Sequence, residues 1–284
     1  MVLPNDDDED EEEEELDPPV IDDSGFRPFA AALGDGACPV LEDLHIGTLA
    51  ERGVLLLAGA LKSKAGPPLK DLDLSDQRVT EAGLLALGEA LQTGAVGASF
   101  ESMLLCVGGT DMGEDACVSF FEKLFTPPSS IAEPACCGAV KELTLYGARL
   151  SDAGMSRVAA ALRRCEGTGA LGRLTSLEFR CTQPLFGDEG LASLSEAVAK
   201  QCPGLRWLSL RETDVTNDGL RRLVLRLSVE GGDGGDAYAF LPALRRVEVY
   251  DSRATPTEQL TRLVAKMNEQ RPGGFQLKYK FDDC

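Results

Sequence analysis

The sequence holds one histidine, His45, and one tryptophan, Trp207. A single histidine excludes a multi-histidine metal centre and leaves one imidazole at most for a nucleophile relay. The strings that mark common catalytic sites are missing: there is no GxSxG, no phosphate-cradling GxxxxGK[ST] and no HExxH. Nine cysteines form no CxxC pair, and adjacent Cys136 and Cys137 have poor geometry for a disulfide. They read as reduced, mostly buried thiols. There is no apolar run long enough to span a bilayer and no apolar stretch at the N-terminus. Membrane spanning and secretion are therefore not expected, and the chain is placed in the cytoplasm or nucleus.

Basic residues are absent from positions 1–23, which carry thirteen Asp and Glu. Removing those thirteen from 47 acids leaves 34 against 28 bases, so the net charge of −19 falls to about −6 for the body. Residues 1–25 therefore read as an acidic tail that repels itself and buries nothing, expected to be disordered. It serves as a solubilising extension or as a lure for a basic partner. No basic stripe offsets the negative field, so nucleic acid is not an expected partner. A hydrophobic content of 43% over 284 residues is enough for a packed core.

What is present is periodicity. In LKDLDLSDQRVTEAGLLALGEAL (69–91), apolar residues stand at places 1, 4, 6, 11, 19 and 23, with glycine at place 15. The same spacing returns in VKELTLYGARLSDAGMSRVAAAL (140–162) and LRWLSLRETDVTNDGLRRLVLRL (205–227). Places 3 to 7 alternate polar and apolar, the mark of a strand with one buried face. Place 12 holds Thr80, Ser151 or Thr216, each able to cap a helix. Gly83, Leu87 and Leu91 then follow at helical spacing. Glycine is expected at place 15 because it lets the helix approach the strand closely.

Weaker versions occupy 41–61, 100–125, 174–198 and 244–267, the 174–198 segment carrying two extra residues before Gly190. In 100–125 the helix face is read as Gly113, Cys117 and Phe121. The 244–267 segment is expected to cap its helix with Thr255, Pro256 and Glu258. A lone strand–helix unit cannot bury its apolar face, so the units must stack. Segments 126–139 and 228–240 read as loop inserts.

These residues resemble the leucine-rich repeat family, in its ribonuclease-inhibitor-like class of long, helix-containing repeats. The pattern LxxLxL…L…G…L…L is met almost place by place in the three quoted segments, and the resemblance covers roughly 41–267. It implies an α/β horseshoe solenoid of about seven repeats, with parallel strands on the concave face and helices on the convex face. The repeat domain would be 26–284: an N-terminal cap at 26–40, repeats at 41–267, and a C-terminal cap at 268–284 whose FQLKYKF alternates like an edge strand. The family commonly sets Asn or Cys two places before the fourth apolar position. Here that place holds Gln77, Ala148, Thr213 and Ser252, so less regular turns are expected.

No cofactor is implied. GGDGGD at 231–236 matches a single calcium-binding nonapeptide core, but that motif works only in tandem, and one copy reads as a flexible insert. Asp71 and Asp73 share a strand face without a surrounding apolar pocket, so they read as a binding surface rather than as an acid–base pair. His45 reads as a surface residue.

Places 3, 5 and 7 of each strand point away from the core. Acidic and small residues come first, including Asp71 and Asp73. Tyr146, Arg180, Trp207, Arg211, Arg246 and Tyr250 follow toward the C-terminus. Trp, Tyr and Arg dominate protein-interface hot spots, so the expected function is a non-catalytic protein-binding scaffold or adaptor, acting alone or as one subunit of a larger assembly. An acidic or mixed partner surface is expected at the arginine-bearing end. The family also contains regulators of enzymes, including activators of the Ran GTPase, and the acidic tail resembles that of acidic leucine-rich nuclear phosphoproteins with a histone-chaperone-like role. Both remain alternatives.

Overall fold

The computed structural model describes residues 21–49, 51–75, 79–93, 99–106, 113–125, 140–164, 171–227, 241, 243–250, 252–270 and 273–280. Residues 1–20 of the tail, Gln77, the 126–139 and 228–240 segments and the GGDGGD string lie outside them, whereas the last tail residues cap and begin the first helix. Strands and helices alternate. A first helix α1 (Asp23–Gly34) is followed by β1 (Asp43–His45), α2 (Glu51–Lys62), β2 (Asp71–Leu74), α3 (Glu81–Thr93), β3 (Ser102–Cys106) and α4 (Glu114–Phe125). Then come β4 (Glu142–Leu150), α5 (Asp152–Arg163), β5 (Ser176–Leu185), α6 (Asp188–Gln201), β6 (Trp207–Arg211), α7 (Asn217–Leu227), β7 (Arg246–Tyr250), α8 (Glu258–Gln270) and β8 (Gln276–Lys280).

All eight strands join one sheet in chain order, and every pairing is parallel. Each helix packs on the helix before and after it, from α1·α2 to α7·α8. The arrangement is consistent with a solenoid-like repeat. Each of the seven strands expected from the sequence begins two residues after the leading apolar residue of its segment. The leading residue turns inward ahead of the ladder: Leu69, Val140 and Leu205 are buried.

The core lies between sheet and helices. Leu72 and Leu74, Leu143 and Leu145, Leu208 and Leu210 point to it from the strands, and Leu87, Leu91, Val158, Leu162, Leu223 and Leu227 from the helices. Each such side chain contributes about 1.5–3 kcal/mol by leaving water. Phe121 carries the core across the centre, its ring 5.7 Å from Phe125 and 5.8 Å from Phe179. Cys117, Cys181 and Cys202 are buried free thiols, and burial raises the pKa of Cys117 and Cys181.

Three of the unit glycines, Gly154, Gly190 and Gly219, have a different reason from the expected one. A Cβ on Gly219 would sit 2.2 Å from Asp188 Oδ1, one on Gly154 2.5 Å from Glu114 Oε2, and one on Gly190 2.8 Å from Asp152 Oδ1. What crowds these three is the first residue of the preceding helix, with Phe186 also 2.9 Å from the Gly190 position, whereas a Cβ on Gly83 would instead meet Val54 Cγ1 of α2 at 3.0 Å. Those carboxylates reach across to the next unit. Glu114 accepts from the Ser151 N–H at 2.6 Å. Asp152 accepts from the N–H groups of Gly187 and Gly190 at 2.8 and 2.6 Å. Asp188 accepts from the Thr216 N–H and hydroxyl at 2.8 and 2.7 Å. The free N–H groups at the starts of α5, α6 and α7, and their partial positive charge, are thus met partly by the neighbouring unit. Gly113, by contrast, precedes its helix and meets nothing within 4 Å.

Thr80 and Ser151 cap α3 and α5 through the N–H groups of Gly83 and Gly154, each at 3.2 Å. Thr216 accepts from the Asp218 N–H at 3.2 Å. The cap expected at Thr255 is at Thr257 instead, which accepts from the Leu260 N–H at 3.3 Å. Thr255 turns back to Asn217, whose amide accepts from its N–H and donates to its hydroxyl. In the place where the family sets Asn or Cys, Ala148 and Thr213 are buried and Ser252 accepts from the Ala254 N–H. Past Tyr146, β4 and β5 run on together with register shifts, Ala148 pairing with Cys181 and Leu150 with Leu185. That run absorbs the two extra residues of the 174–198 segment, and it turns at Gly147, whose φ of 74° suits glycine.

Candidate binding face

The sheet side away from the helices carries three rows, fixed by register. The first row includes Asp43, Asp71, Ser102, Glu142, Ser176, Trp207, Arg246 and Gln276. The second includes His45, Asp73, Leu104, Thr144, Glu178, Ser209, Glu248 and Lys278. The third sets Tyr146, Arg180, Arg211 and Tyr250 side by side.

The rows divide into two regions. On β1 and β2 the side chains stand exposed or half-exposed, and His45 Nδ1 lies 3.4 Å from Asp73 Oδ2. On β5, β6 and β7 the face closes over itself. Ser209 is fully buried, Glu248 is 4% exposed and Glu178 7%. Trp207 is half-buried, and its indole N–H is enclosed with no hydrogen-bond partner among the described residues. It is neither the open anchor read from the sequence nor sunk in the core.

What covers the middle row is a set of stacked planes. The Arg246 guanidinium lies over the Trp207 ring at 5.9 Å and pairs with Glu248 at 2.5 Å. The Arg211 guanidinium lies over the Tyr250 ring at 4.8 Å, and its Nη1 stands 3.8 Å from Glu178 Oε1. Arg180 donates from Nε to Glu212 at 2.6 Å. Arg180 and Arg211, like charges directly opposite in register, are thereby drawn to different carboxylates. Glu212 pays for its post with a φ of 53°, a left-handed conformation in a residue with a Cβ, fixed by its N–H on the Tyr250 carbonyl at 2.9 Å.

Electrostatics follow from burial. Desolvation holds the Glu178 carboxyl above the ordinary glutamate value, with Arg211 and the nearby Ser209 hydroxyl partly offsetting it. Desolvation also raises the Tyr146 and Tyr250 phenols, helped by Glu178 and Glu248 respectively. Ser209 lies close enough to favour the Glu178 charge, yet its hydroxyl makes no hydrogen bond of ordinary geometry among the described residues.

The structure thus gathers Tyr146, Arg180, Trp207, Arg211, Arg246 and Tyr250 on one strip, with Asp71 and Asp73 apart on β2. Each of the three arginines has a carboxylate beside it, so this end is charge-compensated rather than simply basic. The glutamates that hold the arginines, Glu178, Glu212 and Glu248, were not among the candidates read from the sequence. Their signal was position: an acid on the neighbouring strand or just past its end for Arg211 and Arg180, and two residues along the same strand for Arg246. No group of metal ligands occurs among the described residues, and none of the described helices is long and apolar enough to cross a membrane. A hollow of about 180 Å³ lies elsewhere, between α6 and α7, lined by Ser195, Ala199, Leu223 and Arg226. Compared with known proteins, the chain matches no family model and no curated protein.

Proposed function

We propose that the chain is a leucine-rich repeat solenoid of the ribonuclease-inhibitor-like class. About seven units curve into a horseshoe with strands inside and helices outside. It acts as a non-catalytic module that binds a protein partner on the inner, strand-lined face. The observation that carries this reading is the strip on β5–β7. There Trp207, Tyr250, Arg211 and Arg246 are stacked and tethered by glutamates on the sheet side away from the helices. Planes held in place before binding lose little side-chain entropy on contact, which is what hot spots require. Asp71 and Asp73 supply an acidic flank.

The test is affinity capture from cells expressing the tagged chain, comparing the native sequence with Trp207→Ala/Arg211→Ala. The expected outcome is loss of most specifically recovered protein from a variant that keeps its circular dichroism and melting cooperativity. Undiminished recovery of the same proteins removes this face from consideration.

A further inference from the structure

Resting on that reading, the partner's chemistry can be narrowed. Glu178 is the carboxylate of the strip whose nearest cation stands farthest off, although Glu248 Oε1, too, makes no hydrogen bond of ordinary geometry among the described residues. The Glu178 side chain is 9% exposed, while Glu212 receives a 2.6 Å bond from Arg180 and Glu248 a 2.5 Å contact from Arg246. Arg211, the cation paired with Glu178, stays 3.8 Å away because its guanidinium is also spread over the Tyr250 ring. Beside Glu178 lies Ser209, completely buried, with a hydroxyl that forms no hydrogen bond of ordinary geometry among the described residues. Buried polar atoms left this way are unfavourable by roughly 1–3 kcal/mol each, and they mark places where a partner is missing; the Ser209 hydroxyl can donate or accept. Next to this spot the open face is acidic: Asp71 and Asp73 on β2 and Glu142 on β4, with no Lys or Arg in the three rows of β1–β4.

We propose that Glu178 and Ser209 receive the ammonium group of a lysine presented by the protein partner. A lysine ammonium brings three donors and no acceptor. The Glu178 carboxylate and the Ser209 oxygen offer converging acceptors on adjacent strands about 4.8 Å apart. Arg211 already rests on Tyr250 and settles there fully as the lysine enters. The carboxylates on β2 and β4 draw the basic segment in, and Trp207, one place along β6 on the same face, packs against its stem.

The single tryptophan makes the proposal measurable in the full-length chain. Its emission is followed while blocked peptides alternating alanine with lysine, norleucine or glutamate are added at physiological salt. Lysine peptides captured only by the acidic tail leave Trp207 emission unchanged. A saturable shift is expected with the lysine peptide alone. Glu178→Gln should weaken it about tenfold and Ser209→Ala less, with both variants checked for native circular dichroism. The proposal is overturned by equal responses to lysine and norleucine, by no response to lysine, or by undiminished lysine affinity in folded Glu178→Gln. If lysine fails while capture of partners still depends on Trp207 and Arg211, the face remains a binding surface and the lysine assignment alone is discarded.

Discussion

At Glu178, burial and attraction pull against each other, and distance decides between them. Arg211 at 3.8 Å and 27% exposed returns less than desolvation removes, so the carboxyl is held above the ordinary 4.5. The folded chain then binds this proton more tightly than the unfolded chain. The group's contribution to stability grows as pH falls through the raised value and is lost as pH climbs above it. Glu178→Gln is therefore expected to melt no lower than the native chain at pH 7, and the difference should shrink as the pH approaches 4.5. Denaturant midpoints measured across that range check this. The charges facing Glu178 are Arg180 on its own strand, Arg211 on β6 and Glu248 on β7, with the Tyr146 phenol on β4. Sequence alone could place Glu178 on the face, since it stands two residues from Arg180, but not show it buried, because that depends on which neighbouring planes fold over it. The same limit hid Glu212, whose role rests on a backbone conformation.

Between elements, the deciding contact is the carboxylate handed from one helix start to the next. Replacing glycine by alanine inside a helix normally gains about 1 kcal/mol. At Gly219 the new Cβ would meet Asp188 and evict a carboxylate that holds both the Thr216 N–H and its hydroxyl. Gly219→Ala is thus expected to destabilise the chain, whereas in an Asp188→Ala background the same change should stabilise it. The sign reversal, read from a double-mutant cycle of urea unfolding, isolates the contact. Asp152→Ala strips acceptors from Gly187 and Gly190 and should lose roughly 1–3 kcal/mol. The sequence made the caps at Thr80 and Ser151 legible, because capping is local. It did not reveal these acids: a first-turn Asp looks like ordinary helix-dipole chemistry until the next unit is in place.

Across the whole molecule, order along the chain equals order in the sheet, so each strand depends only on its neighbours. This much was readable from spacing alone, because apolar residues recurring at fixed places have only one way to share a core. The breaks in regularity were not: β4 and β5 extend to nine and ten residues, whereas β1 has three. Hydrogen exchange should follow that profile, with amides of β4–β6 protected longest and those of β1 and β8 exchanging first. Uniform protection across the sheet would mean that the chain opens only as a whole.

The contact between Asp188 and Gly219 also governs how such a chain can change in length. A duplicated or deleted segment must bring its own notch and its own acid, or else set a bulky residue against a neighbour's carboxylate. Segments are therefore not interchangeable bricks but keyed pieces, and growth is easiest where the key is absent, as at Gly113, where nothing presses on the backbone.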